Sequence, residues 1–371
     1  MKKLLAVGTL ALSLMGATTL GAILGYAQTV TSDSVQASGQ QSNLPNIAVL
    51  AMGGTIAGTG ASATQTTGYK AGVLSPEQLL ESVPALKDIA NISTEQVAHI
   101  DSGTSNTNAV MIKLAKEVQK QLNDPKCDGV VITHGTDTLE ETAYFLNLTV
   151  HSNKPIVLVG SMRPSTAISA DGPMNLYNAV ALAGSKNAWG KGVLIALNDK
   201  IGDARDTTKT NTTDVDTFKN SELGYLGYMQ GGKALFYNLP ARNHTTESEF
   251  NITNIDTLPR VDILYSHADD DRVLVDAVVA AGAKGIIHAG TGDGSVHENT
   301  LPGLIDAQKK GVAIVRGTRV PNGIVTHEDI DVQNHFVTSD NLNPQKARIL
   351  LMLALTKTQD PNEIQGYFDR Y

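Results

Sequence analysis

Hydroxyl and carboxylate side chains are crowded into one short turn of the stretch VVITHGTDTLEETAYF, residues 130–145. The stretch begins as a buried strand and ends as a helix, and a turn between them needs only Gly, Asn or Asp for backbone reasons. Thr136 and Thr138 beside Asp137 exceed that need. A hydroxyl can act as a nucleophile when a nearby group takes its proton and N–H donors hold the developing oxyanion. The turn is therefore a candidate catalytic site.

A second candidate hydroxyl, Thr55, directly follows a pair of glycines. The glycines let the backbone approach a small ligand closely, and they leave Thr55 at the end of a predicted strand. Taken by itself, such a turn is more commonly structural than catalytic. Lys209, in RDTTKTN, would add an amine to Thr136 and Asp137, although a Lys–Asp surface pair is the simpler alternative.

Short apolar runs recur along the chain and are typical of strands in a buried parallel sheet. Helical periodicity fills several gaps between them, for example at 110–122 and 272–282. Strands that alternate with helices predict an α/β fold, in which ligands bind beyond the carboxyl ends of the strands. Both candidate hydroxyls stand at such ends. The runs are 45–51, 130–132, 156–159, 193–197, 261–265, 285–288 and 312–315.

The alternation weakens between Lys200 and Arg260, where turn-forming residues dominate, and a second strand–helix series starts at Val261. This break predicts two domains. We expect a larger N-terminal α/β domain at 45–245, with a mostly parallel sheet flanked by helices and with the catalytic threonines. A smaller C-terminal α/β domain is expected at 260–371.

The start of the chain has the features of a secretory signal peptide. Residues 1–27 combine two lysines, an apolar stretch and the small-x-small end Gly25-Tyr26-Ala27. A transmembrane anchor is the alternative, but Gly and Thr interrupt the apolar run and a polar lead follows at 28–44. We therefore expect cleavage, a periplasmic location and no membrane attachment of the mature chain.

Composition and charge exclude several classes of partner. Cleavage would remove Lys2 and Lys3, the charged residues of the peptide, and would change the formal net charge from −8 to −10. Nucleic acids and anionic membrane surfaces need a basic stripe, and the sequence has none. It also lacks HExxH or a comparable spacing of metal ligands, so we expect no metal. Cys127 is the sole cysteine, which excludes a disulfide within one chain, and its setting favours an inert thiol.

Two other functions are compatible with parts of the sequence. Gly58, Gly60 and Ala63 match the spacing of a dinucleotide-binding fingerprint, which would indicate a nucleotide-dependent oxidoreductase, but no amphipathic helix follows them. A secreted two-domain amino-acid binding protein without catalysis would have the same signal peptide and the same pair of α/β units.

The chain resembles the bacterial L-asparaginases of the secreted, high-affinity type, a family that includes the glutaminase-asparaginases. The segments GGTIAG (53–58) and GVVITHGTDTLEETAYF (129–145) look like the two signatures of that family. The similarity continues through VGSMRPSTAISADGPMNLYNAV, RDTTKTNTTD and LNPQKARILLMLALTKT, and it covers about residues 45–371. It implies hydrolysis of L-asparagine to L-aspartate and ammonia through an acyl-enzyme, without a cofactor. L-Glutamine is a further candidate substrate.

The resemblance implies catalytic roles for individual residues. Thr55 matches the family's nucleophilic threonine, and Tyr69 matches the loop tyrosine that assists it. Thr136, Asp137 and Lys209 match a second catalytic group, in which the lysine and the aspartate activate the threonine.

Substrate-binding roles follow from the same resemblance. Ser102 matches the residue that binds the α-carboxylate, and Asp137 also matches the carboxylate that binds the α-ammonium. Two positions depart from the family: Met52 replaces a threonine, and Gly103 replaces a glutamine or glutamate that helps to hold the ammonium. The second departure bears on affinity and on the preference between asparagine and glutamine.

The resemblance further implies a homotetramer, assembled as a dimer of dimers. In that family each active site is completed by the C-terminal domain of a partner subunit. Ser295 matches one such cross-subunit position. Glu328 matches a second, acidic position when the alignment is anchored on the downstream LNPQKAR, whereas anchoring on Arg319 would place Ile330 there.

Overall fold

The computed structural model describes residues 44–371. The predicted signal peptide at 1–27 lies outside the described residues, and so does the predicted polar lead except for its last residue. No helix within the described part is both long and apolar enough to cross a membrane.

An eight-stranded sheet forms the centre of the N-terminal domain. Strands in this half of the chain are β1 (Asn46–Gly53), β2 (Asn91–Ile100), β3 (Gly129–Thr133), β4 (Ile156–Val159), β5 (Val193–Leu197), β6 (Lys200–Asp203), β7 (Thr208–Lys209), β8 (Phe218–Lys219), β9 (Gly227–Gln230) and β10 (Lys233–Phe236). The sheet has the order β10-β9-β6-β5-β4-β3-β1-β2, and its strands from β5 to β2 are parallel. The antiparallel strands β6, β9 and β10 extend it, while β7 and β8 form a separate ribbon.

Helices cover both faces of this sheet. They are α1 (Pro76–Glu81), α2 (Asn108–Asn123), α3 (Leu139–Thr149) and α4 (Gly172–Ala183). Successive residues of a strand point to opposite faces, so Leu50 of β1 packs in the core with α2 and α3, while Val49 packs in the core with α1 and α4. Burial on both faces explains why the central strands are almost continuously apolar.

The C-terminal domain is built on a smaller sheet of four parallel strands in chain order. Its elements are β11 (Val261–Tyr265), α5 (Val273–Ala280), β12 (Gly285–Gly290), α6 (Leu301–Lys309), β13 (Ala313–Thr318), α7 (Asp329–Asn334), β14 (Val337–Thr338), α8 (Pro344–Ala354) and α9 (Pro361–Arg370). Helix α8 contacts both α3 and the second sheet, so one hydrophobic core runs from one domain into the other.

This architecture confirms the predicted fold class, a larger mostly parallel α/β domain followed by a smaller α/β domain. The domain limits at 45–245 and 260–371 stay predictions. The dinucleotide fingerprint lacks its structural context, because the chain after Gly60 stays irregular until α1 begins at Pro76.

Candidate active site

Three turns meet beyond the carboxyl ends of the neighbouring strands β3, β1 and β2. Thr55 begins the short 3-10 turn Thr55–Ala57 after β1, Ser102 follows β2, and Thr136 and Asp137 follow β3. All four residues line a cavity of about 250 Å³. The parallel arrangement of the strands is the reason, since it brings the ends of segments far apart in sequence to one edge.

The turns touch through their main chains. Gly54 has a φ of +80°, and a Cβ atom on it would lie 2.3 Å from both N and Cα of Gly135. A Cβ atom on Gly135 would in turn lie 2.3 Å from Oγ of Ser102. No side chain fits at either position, so the spacing between the turns is set by backbone contact.

Thr55 is paired with Tyr69 from the loop after the 3-10 turn. The hydroxyl oxygens of Thr55 and Tyr69 lie 2.7 Å apart, and Thr55 is buried. A backbone bridge between Thr59 and Lys70 closes the base of that loop. Burial raises the pKa of the Tyr69 phenol above its usual value, against the hydrogen bond with Thr55 and together with the nearby Asp137 carboxylate. Tyr69 therefore stays protonated at neutral pH.

Lys209 joins the second hydroxyl to a carboxylate. Its Nζ donates to Oγ1 of Thr136 at 3.0 Å and to Oδ1 of Asp137 at 2.6 Å. The Lys–Asp ion pair that was the simpler alternative is present, and the same lysine also bonds to the Thr136 hydroxyl. Because Lys209 donates to the Thr136 oxygen, the hydroxyl hydrogen of Thr136 is directed toward another acceptor.

A buried lysine supports the segment that carries Lys209. Lys346 of α8 donates to the backbone oxygens of Arg205 at 2.7 Å and Thr207 at 2.6 Å, just before β7. Burial lowers the pKa of Lys346, while the nearby Glu140 carboxylate acts in the opposite direction. The sequence alone does not indicate this support, because Lys346 lies in a helix more than a hundred residues further along the chain.

His134 and Cys127 are buried and do not line the cavity. Nδ1 of His134 lies 2.7 Å from the carbonyl oxygen of Gly135, and its Nε2 lies 3.1 Å from Oγ1 of Thr142. Burial lowers the His134 pKa to about 4. Burial also raises the pKa of the Cys127 thiol, in accord with the inert thiol that the sequence favoured.

The structure does not bring Ser295 and Glu328 to the cavity of their own chain. Both lie in the C-terminal domain and are exposed. Ser295 follows β12, where its backbone pairs with Thr291. Glu328 precedes α7, and its carboxylate lies 3.8 Å from the guanidinium of Arg316. Their predicted substrate-binding roles stay predictions.

The cavity also contains residues that the sequence analysis did not single out as site residues. Asp101 precedes Ser102, and Met162 follows β4. Asp101 escaped notice because β2 has no continuous apolar run; its exposed and half-buried residues alternate over much of its length. The remaining new lining residues are Thr66, Thr67, Gly68, Ala71, Thr212 and Thr213.

A larger cavity of about 420 Å³ is lined by residues of both domains. Three of its charged groups are engaged with one another, since Asp340 accepts from Arg205 at 3.1 Å and from Arg242 at 2.8 Å. Arg205 also donates to the backbone oxygen of Tyr371 at 2.6 Å. These contacts hold the domains together, whereas the smaller cavity presents two hydroxyls that are hydrogen-bonded to Tyr69 and Lys209.

Comparisons with known proteins agree with the division into two halves. The model described as "Asparaginase, N-terminal" matches residues 46–242, and that described as "Glutaminase/Asparaginase C-terminal domain" matches residues 260–368. The chain is 54% identical to L-asparaginase 2 of Bacillus subtilis, over 93% of this chain and 91% of that protein. It is 49% identical to a Haemophilus influenzae protein named probable L-asparaginase periplasmic, over 89% of this chain and 94% of the relative.

A solved structure is similar over the same extent. The probable cytoplasmic L-asparaginase of Campylobacter jejuni superposes with a TM-score of 0.86 and 51% sequence identity. The match covers 88% of this chain and 100% of the other.

Proposed function

Because the chain belongs to the asparaginase family, we propose that it hydrolyses the side-chain amide of L-asparagine to L-aspartate and ammonia through a threonine acyl-enzyme. L-Glutamine is proposed as a second substrate, in keeping with the description of the C-terminal family model. The observation that carries the proposal is one cavity with two hydroxyls, Thr55 and Thr136, each hydrogen-bonded to a partner able to move or orient a proton.

In the acylation step, Oγ1 of Thr55 forms a bond to the amide carbon and the carbon–nitrogen bond breaks. The hydroxyl proton of Thr55 passes to the Tyr69 oxygen, 2.7 Å away, as Tyr69 gives its own proton to the leaving nitrogen. Ammonia leaves, and an ester on Thr55 remains. This relay needs a phenol that carries its proton, which fits the raised pKa of Tyr69.

In the deacylation step, water attacks the ester carbon and its proton returns to the Thr55 oxygen. Thr136 lines the same cavity and would position this water. Lys209 fixes the orientation of the Thr136 hydroxyl, and Asp137 fixes Lys209. The products are L-aspartate and the free threonine, so the cycle closes without a cofactor or a metal.

Substrate recognition is assigned to the rim of the same cavity. Ser102 would bind the α-carboxylate, and Asp137 would bind the α-ammonium through Oδ2, because its Oδ1 already accepts from Lys209. The side chain of Asp137 is 57% exposed, so a charged group can reach it directly from the cavity.

We also propose a homotetramer assembled as a dimer of dimers, in which Ser295 and Glu328 complete the active site of a neighbouring subunit. Their exposure, away from the cavity of their own chain, supports a role across a subunit boundary. Analytical ultracentrifugation tests the assembly directly. A monomer at the concentrations used for the assay would contradict it.

Export to the periplasm is proposed from the features of residues 1–27. One relative bears a periplasmic name and one solved structure a cytoplasmic name, so similarity alone does not decide the compartment. Fractionation of cells that express the full chain, with N-terminal sequencing of the product, tests the prediction. A cytoplasmic product that retains Met1 would contradict it.

The decisive test of function is ammonia release from L-asparagine and from L-glutamine by the purified protein. We expect turnover of L-asparagine and its loss in Thr55→Ala. Thr246→Ala is a matched control, since Thr246 lies outside the cavity and its hydroxyl donates to Asn153 at 3.2 Å. If the wild type retains L-asparagine intact after prolonged incubation, the protein is a binding protein and the proposal is wrong.

A further inference from the structure

Asp101 is a second carboxylate that lines the cavity with Asp137, and it precedes Ser102 in the chain. We propose that Asp101 helps to hold the α-ammonium of the substrate and so selects amino-acid amides over amides that lack an α-amino group. The proposal rests on the function proposed above, because it names a specificity-determining residue of the same site.

The position of Gly103 shows how the two carboxylates face one space. A Cβ atom on Gly103 would lie 2.7 Å from Oδ2 of Asp137 and 3.5 Å from Oδ1 of Asp101. The volume that a side chain at position 103 would enter is therefore bounded by one oxygen of each aspartate. An ammonium group donates up to three hydrogen bonds, so one that enters this volume could bond to both carboxylates.

The charges around the cavity also favour binding of an ammonium group by Asp101. Asp137 is paired with Lys209 at 2.6 Å, so that pair carries no net charge. Asp101 accepts the backbone N–H of Gly103 at 2.9 Å, and within residues 44–371 no Lys, Arg or His nitrogen lies within 4.0 Å of its carboxylate. The Asp101 charge is thus available to a cation that enters the cavity. The α-ammonium is the cationic end of the proposed substrate.

A purely structural role for Asp101 makes a different prediction. Its hydrogen bond to Gly103 forms an Asx turn, and an asparagine keeps that bond while it removes the charge. Asp101→Asn therefore separates recognition from turn formation. Asp124→Asn is the matched control, because Asp124 is also exposed and accepts the backbone N–H two residues on, from Lys126, at the same 2.9 Å, outside the cavity.

The experiment compares L-asparagine with succinamate, which has the same chain and amide but no α-amino group. For Asp101→Asn we expect kcat/KM on L-asparagine to fall about tenfold, mostly through KM, and kcat/KM on succinamate to stay within about twofold. Asp124→Asn should match the wild type on both substrates. Equal losses on both substrates, or no loss on L-asparagine, would overturn the proposal.

A binding measurement keeps this test independent of catalysis. Calorimetric titration with L-aspartate and with succinate should show about tenfold weaker binding of L-aspartate to Asp101→Asn and unchanged binding of succinate. A wild type that binds L-aspartate without turning over L-asparagine would refute the proposed function, and the titration would still decide the role of Asp101. A wild type that neither turns over L-asparagine nor binds L-aspartate would overturn both.

Discussion

Replacing Tyr69 with phenylalanine removes a single hydroxyl from the cavity. That hydroxyl lies 2.7 Å from Oγ1 of Thr55, and the phenol is held protonated by burial and by the nearby carboxylates. The aromatic ring remains in Tyr69→Phe, so the loop from Gly58 keeps its packing. The change therefore isolates the proposed proton relay.

The expected loss follows from the size of general acid–base catalysis. A positioned proton-transfer group contributes about 10²–10⁴ in rate, and we expect the lower part of that range because water can replace one step of the relay. A fall in kcat of about 10²–10³ corresponds to about 3–4 kcal/mol of lost transition-state stabilisation. The free energy of unfolding should change by about 1 kcal/mol at most, since one partly buried hydrogen bond is removed.

The assay is steady-state ammonia release from L-asparagine, with thermal unfolding measured on the same samples. Tyr225→Phe is the matched control, because it removes a half-buried hydroxyl that donates to the backbone oxygen of Phe218 at 3.2 Å, outside the cavity. If Tyr69→Phe keeps kcat within about threefold of the control, proton transfer does not pass through Tyr69. A fall in KM alongside kcat would also argue against the relay, since it would indicate altered ground-state binding.

Three further predictions concern the lysine, the glycine contact and a buried histidine. Lys209→Met should lower kcat by about 10²–10³ in the ammonia assay, because Thr136 loses its donor at 3.0 Å, and an unchanged kcat would contradict this role. Gly54→Ala should lower the free energy of unfolding by more than about 3 kcal/mol in urea titrations, because its Cβ would lie 2.3 Å from the backbone of Gly135. Burial lowers the pKa of His288 from 6.5 to about 4. Between these pH values His288 binds a proton in the unfolded chain but not in the native state. The free energy of unfolding should therefore fall by about 3 kcal/mol as pH drops from about 6.5 to about 4. In urea titrations across this pH range, His288→Leu should remove this part of the dependence of the free energy of unfolding on pH. An unchanged dependence would show that His288 is not its cause.

The sequence predicted the central strands well because their burial on both faces leaves an apolar run with sharp ends. Strands β4, β5 and β11 have the predicted limits, and the helix after Asp137 was also expected. Strand β2 was missed because it lies at the edge of the sheet, where Val97 is its single buried residue and the strand has no continuous apolar run. Asp101 was missed with it, since a residue at a strand end stands out only when the strand itself is recognised.

The partners of the Thr55 and Thr136 hydroxyls show a second limit of prediction from sequence. The local pattern raised Lys209 but left a surface ion pair as the alternative, and Tyr69 came only from the resemblance to a known family. Each reaches its hydroxyl from a loop or from a ribbon of two residues per strand, which local pattern does not reveal. Long-range contacts of this kind depend on the packing of the whole domain. The anchoring of the Lys209 segment by Lys346, more than a hundred residues downstream, is a clear example.

The close approach of Gly54 to Gly135 bears on how the substrate range of such a cavity can evolve. The two glycine backbones lie directly against each other beside the cavity, and a side chain at either position would displace Thr55 and Thr136 together. The lining of the cavity itself includes Thr66, Thr67, Thr212 and Thr213, which are exposed and small. Directed evolution toward longer amides should therefore accumulate its productive changes at these four threonines, where the cavity can widen without moving Thr55 relative to Thr136.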